Sequence, residues 1–273
     1  MKIGILQAGH APPAMIEARG DYTQMYSEML DQDTFTYQTW SIVDMEFPAG
    51  PKDADGWLIS GSKHGAYEDH PFIPPLEQLI RDITASNRPL VGVCFGHQII
   101  AQALGGTVEK FDGGWSVGQQ NYDINGENMQ LNAWHQDQVT TLPEGAKRVG
   151  SSDFCENAML YYEGKALTIQ PHPEFDARSI DALLTTKAKG IVPEDLQSVA
   201  RDRLALPVGP GLFPRLYRRA CGQAREMLRA CCALKGCDWP PEPLGLSHPD
   251  TAPKLRPNRR GADGNGHKHS HIF

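Results

Sequence analysis

Apolar residues along the first 104 positions follow two spacings that alternate with one another. Short runs with the length of buried strands alternate with stretches whose apolar positions have helical spacing. Asp21 and Gln24 are arranged as a capping box before one helix, and Pro74 and Pro75 open another. This alternation predicts an open, mostly parallel α/β sheet with helices on both faces. The predicted strands cover residues 2–7, 35–43, 56–60 and 90–93, and the helices cover residues 22–30, 74–87 and 96–104.

The pattern changes after residue 106. Short β-prone segments follow one another without helices between them, and Gly and Asn separate several of them. They predict a small antiparallel β addition to the α/β sheet, followed by two helices. The segments are 107–110, 121–124, 129–134, 158–162 and 166–169, and the helices are 176–189 and 193–204.

The charge distribution separates the last part of the chain from the rest. The net charge of −7 combines 33 acidic with 26 basic residues, but residues 201–273 hold 13 of the basic and only 6 of the acidic ones. They also contain four of the six cysteines and nine of the 21 prolines. The change predicts a folded domain over residues 1–206 and an atypical, poorly ordered tail over residues 207–273. A natural extension and an out-of-frame translation both explain such a tail.

Composition argues against several classes of protein. Residues 1–200 carry 27 acidic and 13 basic residues, which gives no reason to expect nucleic-acid binding. No apolar stretch approaches the roughly 20 residues of a membrane helix, and the N-terminus lacks the apolar core of a secretory signal. Six cysteines in 273 residues do not indicate a disulfide scaffold. We therefore expect a cytoplasmic protein without a membrane or nucleic-acid partner.

The segment Gly92-Val93-Cys94-Phe95-Gly96 is the sharpest candidate for a chemical site. It joins a predicted strand to a predicted helix, which is the context of a nucleophile elbow. The two glycines permit a tight turn that lifts the cysteine out at the carboxyl end of the strand. The N-terminus of the following helix favours the thiolate form. An isolated cysteine on an apolar strand is usually structural, but this context favours Cys94 as a nucleophile.

A second candidate follows the last predicted strand, as His172-Pro173-Glu174. A nucleophilic cysteine needs a base, and the base needs a group that orients it. Pro173 stiffens the link between the imidazole and the carboxylate, so a two-residue spacing can bring both into one site. Their distance from Cys94 along the chain is no obstacle, because such residues assemble in space.

These two segments resemble the signatures of the class I, or triad, glutamine amidotransferases. The resemblance covers most of residues 1–200 and implies a flavodoxin-like sheet. It implies that Cys94 is the nucleophile, His172 the general acid and base, and Glu174 the residue that orients His172. Residues 6–29 are similar to stand-alone members that resemble the amidotransferase domain of GMP synthase.

The same resemblance implies supporting roles for further residues. Gly61 and Ser62 align with the loop that forms the family's oxyanion hole, although Ser62 replaces the usual second glycine and Lys63 the usual proline. The N–H of Phe95 would be the other donor. The residues implied to bind or border the substrate are Gln98, Gly114, Trp115, Ser116 and His135, the last as a bordering rather than a catalytic group.

The implied reaction is hydrolysis of the glutamine side-chain amide through a γ-glutamyl thioester on Cys94, giving glutamate and ammonia. It needs no organic cofactor and no metal, and no metal ligands are predicted in the folded domain. A separate synthase subunit would accept the ammonia, because the chain has no phosphate-binding P-loop motif. Two alternatives stay open: hydrolysis of γ-glutamyl peptides or amides by the same triad, and a non-catalytic regulatory protein on the same fold.

Overall fold

The computed structural model describes residues 1–30 and 35–206 of the chain. In these residues the chain forms eleven strands and six α-helices. The strands are β1 (Lys2–Gln7), β2 (Thr36–Ser41), β3 (Gly56–Ile59), β4 (Leu90–Val93), β5 (Thr107–Lys110), β6 (Ser116–Ile124), β7 (Glu127–His135), β8 (Asp137–Thr141), β9 (Ala146–Ser151), β10 (Met159–Tyr162) and β11 (Ala166–Ile169). The helices are α1 (Pro13–Arg19), α2 (Tyr22–Leu30), α3 (Ile73–Ala85), α4 (Phe95–Ala103), α5 (Ala177–Thr186) and α6 (Glu194–Asp202).

Nine of these strands form one mixed sheet in the order β2-β1-β3-β4-β11-β10-β9-β6-β7. Its first five strands are parallel to one another, and their order is that of a flavodoxin-like sheet. The remaining four continue the sheet in antiparallel pairs. Strands β5 and β8 form a separate antiparallel pair. The fold class expected from the sequence is confirmed, with an antiparallel part that reaches four strands beyond the parallel half.

Helices cover both faces of the parallel half. Side chains that alternate along each strand divide into two clusters, as the two-residue period of a strand requires. Ile5, Leu58 and Val91 pack with α2 and α5 on one face. Leu6 and Ile59 pack with α3 and α4 on the other. Burial on both faces explains why these strands are short, continuous apolar runs in the sequence.

Helix α1 and strands β8 and β9 were not expected from the sequence. The prolines at positions 12 and 13 suggest a turn, but Pro13 is the first residue of α1, where a missing N–H is tolerated. Strand β9 exposes Lys147 and Arg148 and lacks the apolar alternation of a half-buried strand. Both segments are strands because they pair with β10 and β5, which their own sequences do not indicate.

The predicted boundary near residue 206 stays a prediction. The last described helix ends at Asp202, and residues 207–273, with the predicted tail and both explanations for it, lie outside the described residues. Within the described part of the chain, every helix is too short or too polar to cross a membrane.

Candidate active site

Three neighbouring parallel strands, β3, β4 and β11, end at the same edge of the sheet. The loops that leave this edge contain Gly61 and Ser62 after β3, Cys94 after β4, and the segment around His172 after β11. Open α/β sheets bind their ligands at the carboxyl ends of parallel strands. The topology therefore gathers three candidate segments that lie far apart in the sequence.

Cys94 occupies a strained turn between β4 and α4. Its backbone has φ 53° and ψ −106°, a conformation that non-glycine residues rarely adopt. The turn is held by a 2.9 Å hydrogen bond from the Cys94 N–H to the Ile169 carbonyl and a 3.1 Å bond from the Gly96 N–H to the Ser60 carbonyl. A Cβ on Gly96 would collide with the backbone of β3, so the glycine is needed for this close approach.

The His172 ring lies between a carboxylate and the Cys94 side chain. His172 Nδ1 is 2.7 Å from Glu174 Oε1, and both side chains are buried. Because Nδ1 faces Glu174, Nε2 is the ring nitrogen left for a reacting group. Burial lowers the pKa of His172, but Glu174 and then Cys94 outweigh it, so this pKa is raised above its ordinary value.

Three contacts hold His172 and its ring in place. The His172 N–H donates to the Asn132 carbonyl on β7 at 2.8 Å, and the Asn132 side chain donates to the Phe175 carbonyl at 2.9 Å. The Phe175 ring stacks on the imidazole, with centroids 3.9 Å apart and planes 2° from parallel. Asn132, in the antiparallel half of the sheet, thereby helps to position His172, which follows a strand of the parallel half.

Tyr26 is a further partner of this site that the sequence analysis did not identify. Its hydroxyl donates to Glu174 Oε1 at 2.9 Å and accepts a longer bond, 3.4 Å, from the Gly61 N–H. Tyr26 and Tyr22 lie one turn apart on the buried side of α2, with ring centroids 6.0 Å apart. The i, i+4 spacing of two tyrosines beside a capping box is the signal that could have indicated them.

The two predicted oxyanion donors in the loop after β3 differ in the hydrogen-bond partners of their N–H groups. The Gly61 N–H is directed at Tyr26, whereas the Ser62 N–H meets no side-chain or backbone acceptor within the described chain. The Ser62 hydroxyl is also held, because it donates to the Ala8 carbonyl at 2.8 Å. Phe95 is the first residue of α4, so its N–H has no acceptor within the helix. The N–H groups of Ser62 and Phe95 therefore both lack a backbone acceptor among the described residues, whereas that of Gly61 is engaged.

Gln98 is buried in α4, where its amide nitrogen donates to the Asp137 carbonyl at 2.9 Å and to Gln170 Oε1 at 3.1 Å. Any contact with a substrate would therefore use its Oε1. The other three predicted residues lie where the chain enters β6. Gly114 has φ 90° with open space beside its Cα, Trp115 packs against Trp134, and Ser116 is buried opposite His135 on β7.

His135 differs from His172 although it is just as deeply buried. Its Nδ1 is 3.3 Å from the Asp137 carbonyl, and none of its described partners is a carboxylate. Burial therefore lowers the pKa of His135 to about 3, so the ring is neutral at neutral pH. A neutral histidine without an orienting carboxylate suits the bordering role that the sequence resemblance implied.

The sequence model of the family "Glutamine amidotransferase class-I" matches residues 16–188. The chain belongs to the class-I glutamine amidotransferase family. γ-Glutamyl peptidase 4 of Arabidopsis thaliana is 33% identical to this family member over 174 residues, which are 58% of this chain and 69% of that protein. One subunit of a glutamine-hydrolysing GMP synthase of Archaeoglobus fulgidus is 32% identical over 45% of this chain and 68% of its own.

The same fold occurs in solved structures of the family. A glutamine amidotransferase of Thermotoga maritima superimposes with a TM-score of 0.62 at 23% identity, covering 81% of this chain and 98% of that one. At this identity the likeness concerns the fold alone. It agrees with the family model in giving this chain the fold of class-I glutamine amidotransferases.

One cluster of this family member lies outside the predicted site. His64, Glu68 and His70, on the segment that follows Ser62, bring three potential metal-ligand atoms within 4.8 Å of one another. Their spacing in the sequence matches no standard metal motif, and only the turn after β3 brings them together.

Proposed function

We propose that this protein hydrolyses the amide bond of a γ-glutamyl compound through a thioester on Cys94. The observation that carries the proposal is the buried His172–Glu174 pair, 2.7 Å between Nδ1 and Oε1, placed beside a strained cysteine at a helix N-terminus. A nucleophile, a base and a group that orients the base are the parts that covalent amide hydrolysis requires.

The proposed first half-reaction begins with the Cys94 thiolate attacking the γ-carbonyl carbon. Negative charge develops on the carbonyl oxygen, where the N–H groups of Ser62 and Phe95 would stabilise it by about 3–4 kcal/mol per donor. His172 Nε2 then gives its proton to the departing amine as the C–N bond breaks. The products of this step are the free amine, or ammonia, and a γ-glutamyl thioester.

In the second half-reaction water replaces the amine. His172, now neutral, removes a proton from a water molecule that attacks the thioester carbonyl. The C–S bond breaks, glutamate leaves, and the cysteine sulfur is regenerated. Throughout both steps Glu174 holds the imidazole with Nε2 toward the reacting atoms, and Tyr26 holds Glu174.

γ-Glutamyl peptides are the first candidate substrates. The support is the name of the Arabidopsis relative, a γ-glutamyl peptidase, which is 33% identical over 174 residues. Glutamine is the second candidate, supported by the GMP synthase relative of Archaeoglobus fulgidus. In that case ammonia would pass to a separate synthase subunit. Both reactions share the acyl-enzyme and differ in the leaving group.

The cytoplasmic location stays a prediction from the sequence.

A substrate panel tests the proposal. Glutamate release is measured with glutamine, a γ-glutamyl dipeptide, a γ-glutamyl amine and, as a control, the matching α-glutamyl dipeptide. We expect turnover of at least one γ-glutamyl compound, none of the α-isomer, and loss of turnover in Cys94→Ser. The ratio of kcat/KM for the dipeptide and for glutamine decides between the two candidates.

Cys155 supplies a matched control for the nucleophile. It is also a buried cysteine, and burial raises its pKa to about 12. Iodoacetamide or diazo-oxo-norleucine should modify Cys94 in folded protein and leave Cys155 unmodified, and Cys155→Ser should retain turnover. No hydrolysis of any panel member, with Cys94 unreactive, would instead support the non-catalytic regulatory alternative.

A further inference from the structure

The segment after β3 brings two imidazoles and a carboxylate together outside the proposed active site. His70 Nε2 is 2.8 Å from Glu68 Oε2, and His64 Nδ1 is 3.8 Å from the same oxygen. All three ligand atoms lie within 4.8 Å of one another. We propose that His64, Glu68 and His70 bind a divalent transition-metal ion, with Zn²⁺ as the best chemical match.

The donor set and its dimensions fit a tetrahedral ion. A zinc ion with ligands at about 2.0–2.2 Å separates those ligand atoms by about 3.4 Å. The separations of His70 and His64 from Glu68, 2.8 and 3.8 Å, lie on either side of that value, and all three atoms lie within 4.8 Å, so side-chain shifts of at most about 1.4 Å would admit the ion. Two histidines and one carboxylate are a common protein set for zinc, with the fourth position left to water.

The ligands are held before any ion binds. The His64 N–H donates to the Ser62 hydroxyl at 3.1 Å, and the Glu68 N–H donates to the Gly65 carbonyl at 3.2 Å. The His70 ring stacks on Phe72 with centroids 5.6 Å apart, and the His64 ring lies 5.8 Å from the same ring. Side chains already restricted by packing lose little conformational freedom when they bind an ion.

The proposed metal site is connected to the loop that carries Ser62. The Ser62 hydroxyl accepts from the His64 N–H and donates to the Ala8 carbonyl, so it ties the metal-binding segment to the end of β1. A bound ion would restrain this loop through that contact. Binding of the metal is a property of these three residues and does not depend on the proposed hydrolysis.

The test is Zn²⁺ titration of the full-length protein by calorimetry after treatment with a chelator. The background carries Cys94→Ser, with serine or alanine at the potential ligands outside the described residues, so that these cannot contribute. We expect one saturable site per chain and a higher Tm with Zn²⁺ than without it. The replaced residues are Cys221, Cys231, Cys232, Cys237, His248, His267, His269 and His271.

Single variants assign the site. His64→Ala, His70→Ala and Glu68→Gln should each weaken Zn²⁺ binding by at least about tenfold, since even outer-shell changes at metal sites have effects of that size. His10→Ala is the matched control, because His10 is half exposed and contacts two carboxylates, Asp21 and Asp44, without a second histidine. It should bind Zn²⁺ as the background does.

Co²⁺ provides a second readout that reports on the ligands themselves. A tetrahedral Co²⁺ visible spectrum in the background, lost in His64→Ala and retained in His10→Ala, is expected. The proposal is overturned if no saturable Zn²⁺ binding occurs, or if His10→Ala weakens binding as much as the three ligand variants do.

Discussion

Two regions of this protein bury histidines to the same depth but leave them in different charge states, one charged and the other neutral. His172, at the carboxyl edge of the parallel strands, contacts Glu174 at 2.7 Å, and its pKa is raised. His97 on α4 and His135 on β7 have pKa values lowered to about 3, chiefly by burial. Burial alone removes the charge from an imidazole, and a carboxylate partner restores it.

The difference shows how one fold can hold a charged histidine close to neutral ones. His97 contacts the hydroxyl of Thr168 at 2.8 Å, and His135 contacts a backbone carbonyl. Neutral groups of this kind favour the charged form of a ring less than burial disfavours it. Among the described histidines, His172 alone combines a buried carboxylate partner with a neighbouring cysteine.

The largest expected effect comes from removing the side chain of His172, and the comparison is removal of the side chain of His135. His172→Ala should reduce kcat for the preferred γ-glutamyl substrate by at least about 1,000-fold, because no other group can transfer the proton. His135→Ala should stay within about tenfold of the unmodified protein, a change in the range of indirect effects. Steady-state kinetics of both variants decide this. The reverse ranking would assign the base to His135.

A smaller loss is expected when the carboxylate is neutralised without a change of shape. Glu174→Gln should lower kcat about 100-fold, since the amide cannot stabilise the charged imidazole but still occupies the same space. Glu174→Ala should also be less damaging than His172→Ala. Measured kcat values, with circular dichroism to confirm folding, check the order. Equal activity in Glu174→Gln and the unmodified protein would contradict the orienting role.

The neutral histidines predict a loss of stability in acid. Both have folded pKa values below the unfolded value of 6.5, so their contribution is present above pH 6.5 and is lost as the pH falls toward 3. Between pH 6.5 and 5 each of these histidines is protonated only in the unfolded chain. This should lower the unfolding free energy by roughly 2 kcal/mol per histidine, since one pKa unit corresponds to about 1.4 kcal/mol.

Urea unfolding at several pH values, compared between the unmodified protein and His97→Gln or His135→Gln, measures this term. Each substitution should reduce the loss of unfolding free energy between pH 6.5 and 5 by roughly 2 kcal/mol, even if it lowers the stability of the protein overall. His172, whose pKa is raised, contributes in the opposite direction above pH 6.5, so the lower window isolates the neutral pair. An unchanged acid slope in both variants would show that these rings can be protonated in the folded state.

The smallest predicted effect concerns Tyr26, which acts through Glu174 and not on the substrate. Tyr26→Phe should lower kcat by about tenfold and leave KM unchanged, because a hydrogen bond to a carboxylate contributes about 1.5–3 kcal/mol and only part of it affects the reaction. Tyr162→Phe, at another buried tyrosine, serves as the control and should change neither value. A change confined to KM in Tyr26→Phe would place the hydroxyl at the substrate instead.

Much of the parallel half was predictable from the sequence. Strands buried on both faces give continuous apolar runs, so β1, β3, β4 and β11 were located to within about one residue. The elbow was also predictable, because Gly92 and Gly96 flank the cysteine at fixed spacing. The antiparallel strands β8 and β9 were missed, since pairing with distant strands, not their own composition, orders them.

The sequence by itself determined the fold class and the residue types of the candidate site. Hydrophobic periodicity, turn-forming residues and motif spacing all depend on residues that are close together along the chain. Tertiary structure decided which buried histidine favours the charged form, that Tyr26 donates to Glu174, and that the Gly61 N–H is directed at Tyr26. It also gathered His64, Glu68 and His70 into one cluster. Each of these outcomes depends on distances between side chains that the order of residues does not specify.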